Sequence, residues 1–169
     1  MSEQQYLAFE VNARRYCAPL LQIQEVKQIS TVTSIPQSAP DMLGVINLRG
    51  EIVPLIDMHA RLVGGIAKPA NDHMICIIAQ NDGRLCALWV DQVLDVMEFK
   101  ADQILPIPTT MFESSQIGLD GIVAQNEDFL IVVSLTMLTA RVQMAEVQIA
   151  EVQIAEVQVA EKRATESVQ

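Results

Sequence analysis

Imidazole and thiol chemistry in this 169-residue chain rests on five side chains: His59, His73, Cys17, Cys76 and Cys86. A zinc site uses such groups at short, paired spacings, because four ligands must surround one ion tetrahedrally. No HExxH, CxxC or CxxxH pattern occurs. A nucleophilic serine or cysteine needs a base within hydrogen-bond reach. The sequence holds neither a GxSxG elbow nor a glycine-rich phosphate loop. His59 falls in a short helical stretch and His73 just before a strand, so both read as surface or satisfied core residues. Asp57, Asp91 and Asp95 sit at or near strand ends, where carboxylates are usually solvated. These groups point to no metal, no cofactor and no assembled catalytic centre. The alternative reading is a small-molecule-binding or thiol-hydrolytic β-barrel. It requires a cysteine within reach of His59 or His73 in a polar cleft, and no such convergence is expected.

The elements that place these groups can be read from turns and apolar runs. Asn81-Asp82-Gly83 between two apolar runs is the strongest hairpin signal in the chain. If Asp82-Gly83 is a two-residue turn, Asn81 pairs with Arg84, Cys76 with Trp89 and Ala79 with Cys86. Cross-strand partners share a face, so Cys76 and Cys86 then lie on opposite faces. A three-residue loop would place them on one face, but as diagonal neighbours outside disulfide reach. Either way they read as small buried apolar groups. Further strands are expected at Tyr6–Val11, Arg15–Leu21, Val45–Leu48, Ile52–Asp57, Met74–Gln80, Arg84–Val90, Val93–Phe99, Ile117–Ala124 and Phe129–Val133. One short helix is expected at Met58–Val63, closed by Gly64-Gly65. Short strands with frequent turn signals suggest a barrel or sandwich.

Half of the residues are apolar and 19% are charged, enough apolar material for a core. Lysine and arginine number 11 against 21 acids, a net charge of −10. Nucleic-acid binding needs concentrated positive charge, and the basic clusters here are pairs, Arg14-Arg15 and Lys162-Arg163. The first residues lack the basic and apolar regions of a signal peptide, and no apolar run approaches the ~20 residues of a membrane span. A reducing, cytoplasmic setting with free thiols is expected, with no membrane insertion.

All glycines, prolines, histidines, cysteines and aromatics lie in residues 1–140. Residues 141–169 form a different object, a tail in which Glu146-Val147-Gln148-Ile149-Ala150 recurs at 151–155 and, with one change, at 156–160. Five residues advance a helix by 140° beyond one turn, so the valines form no single apolar face. An odd period swaps the faces of a strand. A helix starting near residue 135 and fraying along the tail is expected.

One segment is distinctive: Gly44-Val45-Ile46-Asn47-Leu48-Arg49-Gly50-Glu51-Ile52-Val53-Pro54-Leu55-Ile56-Asp57-Met58. It resembles the signature of the CheW family, the coupling proteins of bacterial chemosensory arrays, G-V-x-N-L-R-G-x-I-V-P-[VIL]-[VI]-D-L, with Met58 in place of the usual leucine. Tyr6-Leu7-Ala8-Phe9 and Tyr16–Val26 resemble that family's first two strands and the segment after them. Val90-Asp91-Gln92-Val93-Leu94-Asp95-Val96 resembles its V-D-x-V-x-D-V, and Gly118–Ile122 its approach to the last strands. The likeness spans residues 5–140. It implies a mainly β fold of two packed five-stranded SH3-like β-barrels, with a short internal helix and a C-terminal helix. It also implies a non-catalytic adaptor between the helical-hairpin tips of methyl-accepting chemoreceptors and a CheA-type histidine kinase, whose regulatory domain shares the fold. Ring contacts with other CheW-like domains and recruitment to membrane receptor arrays follow from the same likeness.

On that basis Ile23 and Val26 are candidate apolar contacts, with core burial equally expected for Ile23 and favoured for Val26. Glu25 could orient a receptor cation, with a solvated side chain the reading that the residue type alone favours. Arg49, at a hairpin tip beside Gly50, could grip a carboxylate in a bidentate way or support the hairpin. Gly44 is expected to permit close approach of two strands, and Asn47 to tie the hairpin backbone.

Overall fold

The computed structural model describes residues 2–36, 38–108, 118–137 and 158–164. Three turns in which both central residues have positive φ set its hairpins: Asn12 and Ala13 (52° and 60°), Arg49 and Gly50 (51° and 88°), and Asp82 and Gly83 (50° and 76°). This backbone matches the right-handed twist of the flanking strands. The strands are β1 (Gln4–Val11), β2 (Arg14–Pro19), β3 (Ile23–Ile29), β4 (Met42–Leu48), β5 (Glu51–Asp57), β6 (Met74–Asn81), β7 (Arg84–Val90), β8 (Gln92–Phe99), β9 (Leu119–Gln125) and β10 (Asp128–Val133). Helix α1 (Met58–Leu62) follows β5. Two 3-10 turns, Leu20–Gln22 and Ala101–Gln103, complete the elements.

The strands form two five-stranded sheets, ordered β8-β1-β2-β10-β9 and β3-β6-β7-β5-β4. Each half of the chain gives a hairpin to one sheet and three strands to the other. The hairpin β1–β2 joins β8, β9 and β10, and the hairpin β6–β7 joins β3, β4 and β5. The two parallel pairs, β2 with β10 and β5 with β7, occupy equivalent places. In each sheet an isolated antiparallel bridge ties the chain just beyond one edge strand to the opposite edge strand. Thr33, after β3, bridges Val45 of β4, and Leu105, after β8, bridges Ile122 of β9.

Both faces of several strands are buried. Leu7, Phe9 and Val11 of β1 join Cys86, Leu88 and Val90 of β7 in a core shared by the two sheets. The alternate residues of β7, Ala87 and Trp89, pack with Met74, Cys76 and Leu55 inside one sheet. Tyr6, Cys17 and Phe99 do the same inside the other. Two-sided burial is why these strands read as near-continuous apolar runs. The two-residue turn is the one adopted: Cys76 pairs with Trp89 and Ala79 with Cys86. The two thiols therefore point into different cores.

Four expectations change. The strand expected at Arg15–Leu21 stops at Pro19, which has no N–H to continue the ladder. The segment after the 3-10 turn is a separate strand, β3, whose polar residues Gln24, Glu25, Lys27 and Gln28 hid it. Val26, expected in the core, is 46% exposed on that strand. Asp57 is not solvated but 1% exposed, because its carboxylate caps α1. One oxygen accepts from His59 N at 2.9 Å and the other from Lys68 N at 2.8 Å. Helix α1 ends one residue earlier than expected, with Val63 as its C-cap and Gly64 N donating to Ala60 O.

After β10, residues 135–137 are helical, as are the exposed residues 158–164. Residues 138–157, which hold the boundary between the expected 1–140 and 141–169 units and most of the pentads, lie outside the described residues.

Candidate functional site

The β4–β5 turn brings the distinctive segment to a point. Arg49 and Gly50 form the turn, and Asn47 Oδ1 accepts from Gly50 N at 2.9 Å, tying the loop back on itself. The expected backbone tie by Asn47 is therefore present. The Arg49 guanidinium meets the Glu25 carboxylate with both nitrogens, at 2.9 Å and 3.4 Å. Within the chain, the partner of Glu25 is therefore Arg49.

This pair has a structural consequence. Glu25 lies on β3 and Arg49 beside β4, and these are the two edges of one sheet. The ion pair spans the edges at one end, and the Thr33–Val45 bridge spans them farther along. That bridge depends on Gly44, at φ +151°. A Cβ there would stand 2.0 Å from Thr33 O, so only glycine permits the approach. The close approach expected of Gly44 is thus found, between β4 and the segment after β3. The exposed Arg49 (59%) and half-buried Glu25 (28%) leave the pair partly hydrated.

The strand that supplies Glu25 also carries exposed apolar side chains. The pairing of β3 with β6 shifts register between Ile23 and Glu25, a bulge that re-aims the neighbouring side chains. Ile23 is half-buried and packs against the shared core. Val26 is exposed, and Leu21, in the 3-10 turn before β3, is 97% exposed. Sequence reasoning placed Leu21 in a strand and missed this exposure; Pro19 two residues earlier is the signal that could have found it. Beside the clasp, a hollow of about 120 Å³ is lined by Gln24, Leu48, Arg49, Glu51, Gln80 and Leu85 among others.

The chemistry-bearing residues are dispersed. Cys17, Cys76 and Cys86 are buried free thiols. Burial pushes Cys17 and Cys76 up to about 12 and raises Cys86 as well. Thiols held protonated in this way are poor nucleophiles. Among the described residues no hydrogen bond joins a cysteine to a histidine. His59 donates its backbone N–H to Asp57, and His73 Nδ1 lies 2.9 Å from Gln28 Nε2. Among the described residues no group of three or more His, Cys, Asp or Glu could hold a metal ion, and no helix is long and apolar enough to cross a membrane. Asp95 is exposed, whereas Asp91 is bound at a junction missed in the sequence. Its Oδ2 accepts from Asn12 N at 2.7 Å and its Oδ1 lies 3.5 Å from Lys68 Nζ.

Comparison with known proteins gives a consistent result. The sequence model of a family described as CheW-like domain matches residues 5–143. The chain is similar to a probable chemotaxis protein CheW of Rhizobium etli, 30% identical over 141 residues, covering 83% of this chain and 90% of that one. It is also similar to the chemotaxis protein CheW of Klebsiella aerogenes, 32% identical over 142 residues, covering 83% and 84%. Among solved structures, it resembles the scaffolding protein TtCheW of Thermoanaerobacter tengcongensis. The TM-score is 0.70 at 26% identity, covering 81% of this chain and 92% of that one.

Proposed function

The chain belongs to the CheW-like domain family, and on that premise we propose that it is a non-catalytic adaptor coupling chemoreceptor cytoplasmic tips to a CheA-type histidine kinase. In this role it works in the cytoplasm, gathered onto membrane receptor arrays, and touches other CheW-like domains in rings. It transforms no substrate and needs no cofactor. Ile23, Glu25, Gly44, Asn47 and Arg49 form the contact region.

The observation that carries this reading is the held turn at Arg49. A two-residue turn fixed by Asn47 and by Glu25 presents a guanidinium, and the strand that supplies Glu25 carries the exposed Val26, with the exposed Leu21 just before it. A receptor tip is an antiparallel helical hairpin. Its apolar side chains can seat on such a surface, while a preset cation reads carboxylates or carbonyls at the helix ends. Gly44 acts through the close approach of Thr33 to β4, Asn47 through the backbone of the turn, and Ile23 through its packing against the shared core.

The test is a pair of pull-downs with Arg49→Glu, one against a receptor cytoplasmic hairpin and one against a kinase regulatory domain, together with kinase activity in a receptor–kinase mixture. The substitution is expected to weaken receptor capture and the stimulation of kinase activity while the far-UV spectrum stays that of the native chain. A kinase that responds equally well with no added protein would overturn the adaptor reading.

A further inference from the structure

The segment between α1 and β6 is short of regular structure yet firmly attached. Ala67 N donates to Pro40 O at 2.7 Å, and Lys68 N donates to the buried Asp57 at 2.8 Å. The Lys68 side chain makes two further contacts. Its Nζ lies 3.5 Å from Asp91 Oδ1 and 5.2 Å from the centre of the Trp89 ring. Asp91 is the single residue between β7 of one sheet and β8 of the other, and its second oxygen accepts from Asn12 in the β1–β2 turn. Lys68 therefore reaches the end of β5 with its backbone and the crossing point of the two sheets with its charge.

Before these attachments the backbone is unobstructed, and after them it is tied in a local turn. Gly64 and Gly65 have φ of +106° and +102°, and nothing lies within 4 Å of where a Cβ would stand on either. Ile66 is 82% exposed. At the far end Asn71 Oδ1 accepts from His73 N in a local turn. Residues 66–70 form one wall of a groove of about 420 Å³, and Val32, Ser34, Ala39, Met42 and Leu43 line the other.

We propose that residues 66–70 are a strap that Lys68 latches over Trp89 and the seam between the two sheets, and that releasing this charged latch lets the strap turn about Gly64 and Gly65 and widen the groove beside Pro40. The backbone bonds at Ala67 and Lys68 locate the closed position, and the side-chain contacts hold it there. The ion pair is partly exposed, at 43% and 39%, so salt screens it. The cation over the ring adds to its hold.

The test uses the full chain and two variants. Lys68→Met keeps the apolar stem over Trp89 and removes the charge. Asp91→Asn removes the partner's charge but leaves an oxygen to accept from Asn12. The readouts are hydrogen exchange at the Ala67 and Lys68 amides and acrylamide quenching of Trp89, the chain's one tryptophan. Lys68→Met, which loses both contacts, is expected to exchange about tenfold faster at these two amides, and Asp91→Asn, which loses the ion pair alone, about threefold faster; both should quench more readily, with β4 and β5 unchanged. Raising sodium chloride should move the unaltered chain in the same direction and the variants hardly at all. Exchange within about twofold of the unaltered chain in both variants would overturn the proposal, as would acceleration spread equally over β4 and β5. Should Lys68→Met fail to fold, Asp91→Asn and the salt series decide the matter alone.

Discussion

Replacing Gly44 with alanine places a methyl group where the backbone of Thr33 already stands. The new Cβ would lie 2.0 Å from Thr33 O and 2.8 Å from Thr33 C. The closer of these is about 1.4 Å short of ordinary van der Waals contact. The obstacle is backbone, so no side chain can swing aside. Thr33 is fixed there by two hydrogen bonds with Val45, each 2.9 Å long. The clash is relieved only if Thr33 withdraws and both bonds are lost, at about 0.5–1.5 kcal/mol each. The left-handed backbone at φ +151° adds about 1–3 kcal/mol for a residue with a side chain. A smaller conformational entropy of the unfolded alanine chain offsets this by about 0.4–1 kcal/mol. The expected net loss is about 2–5 kcal/mol, a large share of the stability of a typical domain. Gly50→Ala is the control, because Gly50 has φ +88° but nothing within 4 Å of its Cβ. It carries the backbone strain without the collision and should cost about 1–2 kcal/mol. Gly121→Ala tests the same logic in the other sheet, since its Cβ would stand 2.5 Å from Leu105 O, whose residue bridges Ile122. Urea unfolding followed by circular dichroism measures all three, and hydrogen exchange at Thr33 and Val45 reports the bridge directly. A Gly44→Ala variant within about 0.5 kcal/mol of the native chain, or no worse than Gly50→Ala, refutes the reasoning.

Other outcomes follow from the same structure. Arg49→Glu should change stability by no more than about 1 kcal/mol, because the Glu25 pair is partly exposed. Its large effect is expected in receptor capture, and a double substitution that swaps the charges should restore stability more fully than capture. Asp57→Ala removes the acceptor for both His59 N and Lys68 N from a buried site and should cost about 2–4 kcal/mol by chemical denaturation. Burial raises the thiols of Cys17 and Cys76 from 9.0 to about 12. The folded chain then holds more protons than the unfolded chain above pH 9, so stability is full below that pH and falls as pH rises toward 12. Urea midpoints measured from pH 8 to 11 check this sign, and a rise in stability over that range refutes it.

Much of this protein could be read from local chemistry. The Asp82-Gly83 turn set the register of β6 and β7, and with it the separation of Cys76 from Cys86, because two-residue turns fix cross-strand partners. The motif around Arg49 pointed to the family, and the turn it forms uses Asn47 and Gly50 as their residue types suggest. Strand β3 was hidden because it is an edge strand with one buried side and four polar residues, so it lacks the apolar run that two-sided burial gives β7. Tertiary structure alone decided that Glu25 meets Arg49, that Thr33 presses on Gly44, and that Asp57 and Asp91 both converge on Lys68. Each of these contacts joins elements that are distant along the chain or belong to opposite sheet edges. Spacing and propensity act over a few residues, whereas these meetings depend on how the sheets curl and exchange hairpins, and no local pattern encodes that.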